Sequence, residues 1–382
     1  MRHLSVSARR RFLEKETGAH LEKIAQSNFD PQKIAKRNCE NLIGATQVPL
    51  GVAGPLKIRN FASKTRDYYL PLATTEGALV ASINRGCKAT RLAGGVTVLG
   101  EDVGATRAPV FKVKNLKEAK KLVDWTEKHL KELKEAAKKT DRFLTLKELQ
   151  PMILGRNVYL RFVFNTREAM GMNMATIASE QIVQLIKVKT GSECVSLTGN
   201  LCTDKKQSWQ NIIKGRGKRV WAEVVLSQGI VKRILKTSSE KMAEVVYRKC
   251  LLGSALAGAS GFNGHFANVV AALFLATGQD MAHVVEGSLG MTTAEVVEKN
   301  DLYFGIYLPD LMVGTVGGGT DLPAQKETLR ILGLGQGKRG EAIKFAEIIG
   351  GAVLAGELSL MAALSSGHLA QAHARLERGK DD

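Results

Sequence analysis

Residues 110–139 read VFKVKNLKEAKKLVDWTEKHLKELKEAAKK, and this stretch decides the architecture. Val110-Phe111-Lys112-Val113 has the pattern of a short strand. Asn115 follows as a helix N-cap, and Leu116, Ala119, Leu122, Val123, Trp125, Leu130, Leu133 and Ala137 recur at helical spacing with charges between them. The spacing predicts one helix over 116–139. A turn, a strand near Asn157–Phe164 and a helix from about Ala175 to Thr190 come next. Strand–helix–strand–helix order with a charged outer face describes a small α/β domain over residues 109–195.

Both flanks differ in character. Residues 38–108 are punctuated by glycines, among them Gly44, Gly51, Gly54, Gly77, Gly86, Gly94, Gly95, Gly100 and Gly104, so the backbone there must turn or approach something closely. Residues 196–382 return to helices rich in Gly and Ala. The domain at 109–195 therefore reads as an insertion into a large mixed, helix-rich domain made of 38–108 and 196–382. Residues 1–37 form a short helical arm with Asp30-Pro31 as a helix start. The fold class is α+β.

The 382 residues carry a net charge of +18, and 44% are hydrophobic. That usage excludes a disordered chain, a collagen-like repeat and a disulfide-stapled miniprotein. The charge calls for an anionic partner: nucleic acid, or small polyanions. Aromatic residues make up only 5% and are sparse in the basic stretches, which argues against nucleic acid. Four stretches hold the excess: 1–37, 112–147, 205–219 and 232–249. The run at 112–147 reads as a solvated helix face. Five cysteines, an odd number without CxxC spacing, fit a reducing compartment. Met1 to Arg11 is polar and basic, without a secretory signal, and the best apolar run, Ile348 to Leu364, is interrupted by Glu357. These features predict a soluble cytoplasmic protein with no membrane partner.

Several short stretches could carry chemistry. In LATTEGALVASINRG (residues 72–86), Glu76 is a lone carboxylate among small and apolar residues, where desolvation would raise its pKa and suit it to act as an acid. Read alone, it is as readily a cap at a helix start after Thr74 or Thr75. In TGNLCTDKK (198–206), Asp204 beside Lys205 and Lys206 can bind an anion or hold one ammonium against an oxyanion; alone, the stretch is a solvated loop. Asp280 in GQD sits where an apolar helix starting near Phe266 should end, unfavourable for the helix dipole unless the carboxylate is ion-paired or functional. His368 and His373 have no partner at zinc spacing and no HExxH is present, so no metal is expected. The runs 170–174 (MGMNM), 314–320 (GTVGGGT) and 333–337 are glycine-containing loops, but none is a Rossmann fingerprint or a P-loop.

Taken together these stretches are specific. ENLIG (40–44), PLGVAGP (49–55), LATTEGALVASINRGCKA, GMNM, TGNLCTDKK, GQD, GTVGGGT and GELSLMAALSSGHLAQAHARL occur in one order over residues 35–378. The chain resembles 3-hydroxy-3-methylglutaryl-CoA (HMG-CoA) reductase in the class I form of eukaryotes and archaea. The resemblance implies a four-electron reduction of HMG-CoA to mevalonate and CoA with two NADPH, in the mevalonate route to isoprenoids. It implies Glu76 as general acid, Lys205 as the oxyanion-stabilising cation, Asp280 bonded to both, and His373, not His368, as the acid that protonates the departing CoA thiolate. It further implies Arg107, Thr198, Asp204, Lys206, Lys249 and Asn268 around the HMG group. Ser82, Asn84, Arg85 and Lys236, with His265 nearby, would lie along CoA. Met170, Gly171, Met172, Asn173, Gly317, Gly318, Gly319 and Thr320 would hold the dinucleotide, on a small domain of ferredoxin-like fold. Eukaryotic relatives place Ser-Arg before the GMNM motif to meet the 2′-phosphate; here Phe164-Asn165 stand there, with Arg167 two residues on. NADPH is the expected cofactor and NADH the alternative. A homodimer or homotetramer with its site at the dimer interface is expected. The rival within the same family is oxidation of mevalonate with NAD.

Overall fold

The computed structural model describes residues 4–59 and 65–367. Its strands are β1 (Leu50–Arg59), β2 (Thr65–Ala73), β3 (Val96–Arg107), β4 (Val110–Lys112), β5 (Thr145–Leu154), β6 (Asn157–Asn165), β7 (Glu193–Ser196), β8 (Arg216–Leu226), β9 (Met291–Val296) and β10 (Leu302–Leu311). They join in the order β7-β4-β6-β3-β8-β10-β9, with β1 on β2 and β3, and β5 on β6. The long strand β3 serves both ends of this sheet. Residues 97–104 pair with β8, and residues 105–107 pair with β6. Helices and a largely antiparallel sheet lie in one chain, as an α+β class requires.

Along β8 from Val220 the pattern is alternating, whereas β10 is buried at most positions. Val220, Ala222, Val224 and Leu226 are buried while Glu223 and Val225 face out. The helix Glu341–Ser365 packs on the inward side. Close approach is possible because small residues sit at the crossings. A Cβ on Gly350 would lie 2.5 Å from Val220 Cγ1, and one on Gly86, in the helix Leu79–Leu92, only 1.8 Å from the Ala355 carbonyl oxygen. Glu341–Ser365 is long and apolar enough to cross a membrane, yet 83% of its most apolar window is buried inside the protein. Glu357, the charge in that window, is fully buried and accepts from the Gly264 and His265 amides.

A second core lies under β4, β5 and β6, where Phe111, Leu146, Leu160, Phe162 and Phe164 meet Leu122, Leu133 and Ile182. The sequence predicts one helix over 116–139, and the chain forms two, Leu116–Lys128 and Leu130–Lys138. The break falls at His129, whose backbone leaves the helical region (φ −103°, ψ 21°). Its ring stacks on Trp125 at 4.4 Å and Nδ1 approaches the Trp125 carbonyl at 2.8 Å. The helix expected from about Ala175 begins at Met172, inside the GMNM motif and three residues earlier than the periodicity suggests. Strand β5, a whole partner of β6, is absent from the sequence reading.

The arm contains the helices Val6–Thr17, Glu22–Ala25 and Pro31–Arg37, the last capped by Asp30. Arg9 and Arg10 donate to the carbonyls of Leu42 and Ile43 in the ENLIG stretch at 3.1 and 2.7 Å. Part of the arm's charge is therefore structural and not only solvated surface.

Candidate active site

Two clusters contain the motif residues, and they are built differently. The first surrounds the loop at 197–208. Asn200, Thr203 and Lys205 all adopt positive φ, at 62°, 58° and 55°, where non-glycine residues are held only by their surroundings. The surroundings are buried hydrogen bonds: Thr106 Oγ1 donates to the Cys202 carbonyl at 2.7 Å and Thr203 Oγ1 to Asn211 Oδ1 at 2.6 Å. The loop thereby presents Lys205, whose Nζ lies 2.8 Å from Asp280 Oδ2, while its backbone N–H donates to Glu286 Oε1 at 3.1 Å.

Asp204 points the other way, into the protein. Its carboxylate meets Arg107 Nη1 at 3.2 Å and Arg216 Nη2 at 2.6 Å. Burial pushes its pKa up, but Arg216, His283 and Arg107 outweigh that and hold it below the usual carboxylate range. Arg216 is fully buried and also donates to Glu286 Oε1 at 2.8 Å, with Asp310 Oδ1 at 3.7 Å. Burial drives the Asp310 carboxyl well above its ordinary value, against the pull of Arg216 and Arg161 and with Glu286 and Asp204 adding to the rise. For Asp280, desolvation acts upward and the Lys205 hydrogen bond downward, and the net shift is down. Lys206 is exposed and donates to the Asp204 carbonyl, and Thr198 is exposed with Oγ1 3.6 Å from Cys202 Sγ.

The position of Asp280 differs from the sequence reading. The apolar helix is Phe266–Thr277 and ends at Gly278 with φ 73°. Asp280 is two residues beyond, N-capping the short turn Met281–His283 by accepting from the Ala282 amide at 3.0 Å. It therefore meets a favourable helix N-terminus in place of an unfavourable C-terminus.

The second cluster surrounds Glu76. This residue is exposed, in the turn between β2 and the helix Leu79–Leu92, so in a single chain it lacks the desolvation that its apolar neighbours in sequence suggest. Its carboxylate accepts from Asn268 Nδ2 at 2.6 Å. Among the described residues no hydrogen bond or ion pair joins Glu76 to Asp280 or Lys205, contrary to the contact expected from the resemblance. His265, just before the Asn268 helix, is half-buried with Nδ1 3.3 Å from Glu357 Oε2. Lys249 and Lys236 are exposed, Lys236 with φ 60°. The residues expected along CoA are partly engaged elsewhere. Ser82 Oγ and Arg85 Nε bond Ser359 Oγ at 2.9 and 3.0 Å, and Asn84 Oδ1 accepts from the Gly54 amide at 3.0 Å. His368 and His373 lie outside the described residues.

The glycine-containing loops come together. Ala169 bridges Val316, Thr315 N–H donates to the Glu168 carbonyl at 2.8 Å, and a Cβ on Gly314 would lie 2.3 Å from the Met170 nitrogen. Gly319 in turn packs so closely on Gly278 that a Cβ would reach the Gly278 oxygen at 2.4 Å. The second loop therefore touches both the Met170 loop and the turn that carries Asp280. Gly317 and Gly318 have positive φ and open space where side chains would be, and Thr320 Oγ1 donates to the Gly317 carbonyl at 2.8 Å. Gly171 takes φ 87° at the start of the helix Met172–Thr190; Asn173 is exposed and Met172 buried. Arg167 is exposed and lines a cavity of about 210 Å³ with Arg339, Lys218, Asp102 and Glu168; Lys218 is paired with Asp102 at 2.8 Å. The open backbone at Gly317 and Gly318 leaves room for a dinucleotide to approach it closely.

Sequence reasoning missed Arg216, His283, Glu286, Asp310 and Gln279, whose Oε1 accepts from the Gly314 amide at 2.9 Å. They are spread over some hundred residues, so no spacing gathers them. The only signal was a charge inside an apolar strand, as at Asp310. Asp204, His283 and Glu286 place metal-ligand atom types within 4.8 Å of one another. The Arg216 guanidinium already bonds both carboxylates, so a cation's place is taken.

The architecture is that of a reductase fold. It matches the class II 3-hydroxy-3-methylglutaryl-CoA reductase of Streptococcus pneumoniae, described as bound to NADPH, with a TM-score of 0.69, over 94% of this chain and 97% of that one. Identity there is 20%, so this likeness concerns the fold alone. Sequence goes further. Residues 5–378 match the family described as hydroxymethylglutaryl-coenzyme A reductase. The 3-hydroxy-3-methylglutaryl-coenzyme A reductases of Methanothermobacter thermautotrophicus and Methanocaldococcus jannaschii are each 50% identical, over 98% of this chain and 94% and 93% of theirs. Reductase 1 of Dictyostelium discoideum is 41% identical over 98% of this chain and 69% of its own. The chain belongs to the hydroxymethylglutaryl-coenzyme A reductase family.

Proposed function

We infer that the protein is an oxidoreductase that reduces HMG-CoA to mevalonate and CoA in the mevalonate pathway, with NADPH as the reductant. The observation that carries the site assignment is the Lys205 ammonium, held 2.8 Å from Asp280 on a loop whose backbone is bonded to buried Glu286. A fixed cation stabilises the oxyanion that forms when a thioester carbonyl is reduced, and it needs no reorganisation when that charge appears. Asp280 orients it. Glu76, oriented by Asn268, supplies a proton to the aldehyde oxygen in the second reduction. His373 protonates the departing thiolate, a task suited to a side chain that titrates near neutrality. Arg107, Lys206, Lys249, Thr198 and Asp204 meet the carboxylate and hydroxyl of the HMG group. Lys236 and His265 serve CoA, with Ser82, Asn84 and Arg85 beside them.

NADPH supplies the hydrides when bound. Met170, Gly171, Met172, Asn173 and Gly317 to Thr320 hold it, and Arg167 takes the 2′-phosphate. Arg167 and Arg339, exposed on the wall of the 210 Å³ cavity and without an ion pair there among the described residues, support NADPH over NADH. We assign residues 109–195 to a cofactor domain, 38–108 with 196–382 to the substrate domain, and 1–37 to an arm. The identities of 41–50% to archaeal and Dictyostelium proteins, against 20% to the streptococcal class II chain, favour the class I form. The absence, among the described residues, of a hydrogen bond or ion pair between Glu76 and Lys205 supports a site assembled across two copies. The test is HMG-CoA-dependent oxidation of NADPH with free thiol measured alongside. Two NADPH consumed per CoA released is expected, and no HMG-CoA dependence would refute the reading. His373→Ala should abolish turnover and His368→Ala should not; the reverse would refute the histidine assignment.

A further inference from the structure

His283 has no part in the reading above, yet it touches the groups that hold Lys205. It follows Asp280 in the turn Met281–His283 and is fully buried. Its Nδ1 lies 2.6 Å from Glu286 Oε1. That oxygen also accepts from Arg216 Nη1 at 2.8 Å and from the Lys205 amide at 3.1 Å, so the ring hydrogen sits on Nδ1. Among the described residues Nε2 has no hydrogen-bond partner. It faces Asp280 Oδ2 at 3.7 Å, the same oxygen that holds Lys205 Nζ.

A buried ring nitrogen without a partner costs free energy, and such atoms call for an explanation. A proton supplies one. With a proton on Asp280, the carboxylic acid can donate to Nε2. With the proton on the ring, Nε2–H can donate to the carboxylate. The neighbours that bear on this exchange come from five elements: Asp280 on its own turn, Glu286 on the following helix, Asp204 at 3.9 Å on the lysine loop, Arg216 on β8 and Asp310 behind it on β10.

We propose that His283 is a positioning residue for the Lys205–Asp280 pair. Its Nδ1 side holds Glu286 against the Lys205 backbone, and its Nε2 side gives Asp280 a partner when a proton enters the pair during turnover. The proposal rests on the reading of Lys205 as the oxyanion cation.

Two amide substitutions separate the two sides of the ring. In His283→Asn the shorter side chain can still donate to Glu286 but has nothing at the Nε2 position. In His283→Gln the longer amide puts a polar group where Nε2 was. The measurements are kcat, KM for HMG-CoA, the pH profile of kcat, and Tm, with Lys205→Ala assayed in parallel. Expected is a loss of roughly tenfold or more in kcat for His283→Asn, with KM little changed, the pH profile displaced and Tm near the parent's. His283→Gln should stay within about threefold of the parent. If both variants keep the parent's kcat and pH profile, or both lose kcat together in step with Tm, the proposal is wrong. A dead Lys205→Ala alongside either result confines the failure to His283, whereas an active Lys205→Ala overturns the reading of the site itself.

Discussion

The two clusters that hold the candidate catalytic residues stand at opposite ends of a range of order. Lys205 is exposed at its tip, but the loop beneath it is fixed by Glu286, Arg216, Asp204 and Asn211, most of them out of reach of solvent. Glu76 is exposed, and among the described residues its carboxylate has one hydrogen-bond partner, Asn268. An electrostatic catalyst works by being pre-set, so its support must be rigid. A proton donor works best where solvent is kept away from the reacting oxygen, and an exposed turn does not exclude it. The contrast is between one half whose supports lie within the chain and another half left open to solvent. A second copy, bringing its own Lys205 loop over Glu76, would cover that half.

This comparison breaks most visibly at Arg216. Its guanidinium serves Asp204 and Glu286 and faces Asp310. Arg216→Met leaves buried carboxylates without their cation and should destabilise the chain by about 3–5 kcal/mol, read as a fall in the denaturant midpoint. The same class of change on the other side, Glu76→Gln, should leave that midpoint unchanged while lowering kcat by roughly 10²–10⁴. A large loss of stability in Glu76→Gln, or none in Arg216→Met, would show that the two halves are not held as differently as their contacts suggest.

A finer probe is pH. The folded pKa values of Asp204 and Asp280 lie below their unfolded ones, so their contribution to stability is present above about pH 4 and is lost as pH falls through the folded values. Asp310 has the opposite sign, because its folded pKa is raised, and its contribution declines as pH rises above about 4. Asp204→Asn should therefore flatten the acid limb of the stability curve, and Asp310→Asn should relieve the loss toward neutral pH. Unchanged curves in both would argue that the buried cluster does not carry the charge pattern described.

Much of the architecture was legible because hydrophobic periodicity reports burial directly. The strand at 110, the helix up to Thr190 and the apolar helix from Phe266 all stand near their expected places. Local competition was not legible. His129 splits a helix that periodicity makes continuous, and Gly278 ends one before it reaches Asp280. In the site, the motif residues were readable as types and as an ordered set. Their supports were not, since Arg216, Glu286 and Asp310 are joined only by the fold. Nor does sequence show that Arg85 and Ser82 are tied to Ser359, or that the loops at Ala169 and Val316 are neighbours.

The central claim is that the ordered half in one chain completes the exposed half in another. It is tested by mixing two inactive proteins, Glu76→Gln and Lys205→Ala, after unfolding and refolding them together. If each site takes Glu76 from one copy and Lys205 from its partner, every mixed dimer holds one intact site, and equal mixing should restore roughly a quarter of the parent's activity. If both residues act within one chain, no mixture can contain an intact site, and activity at the level of the separate variants would contradict the account.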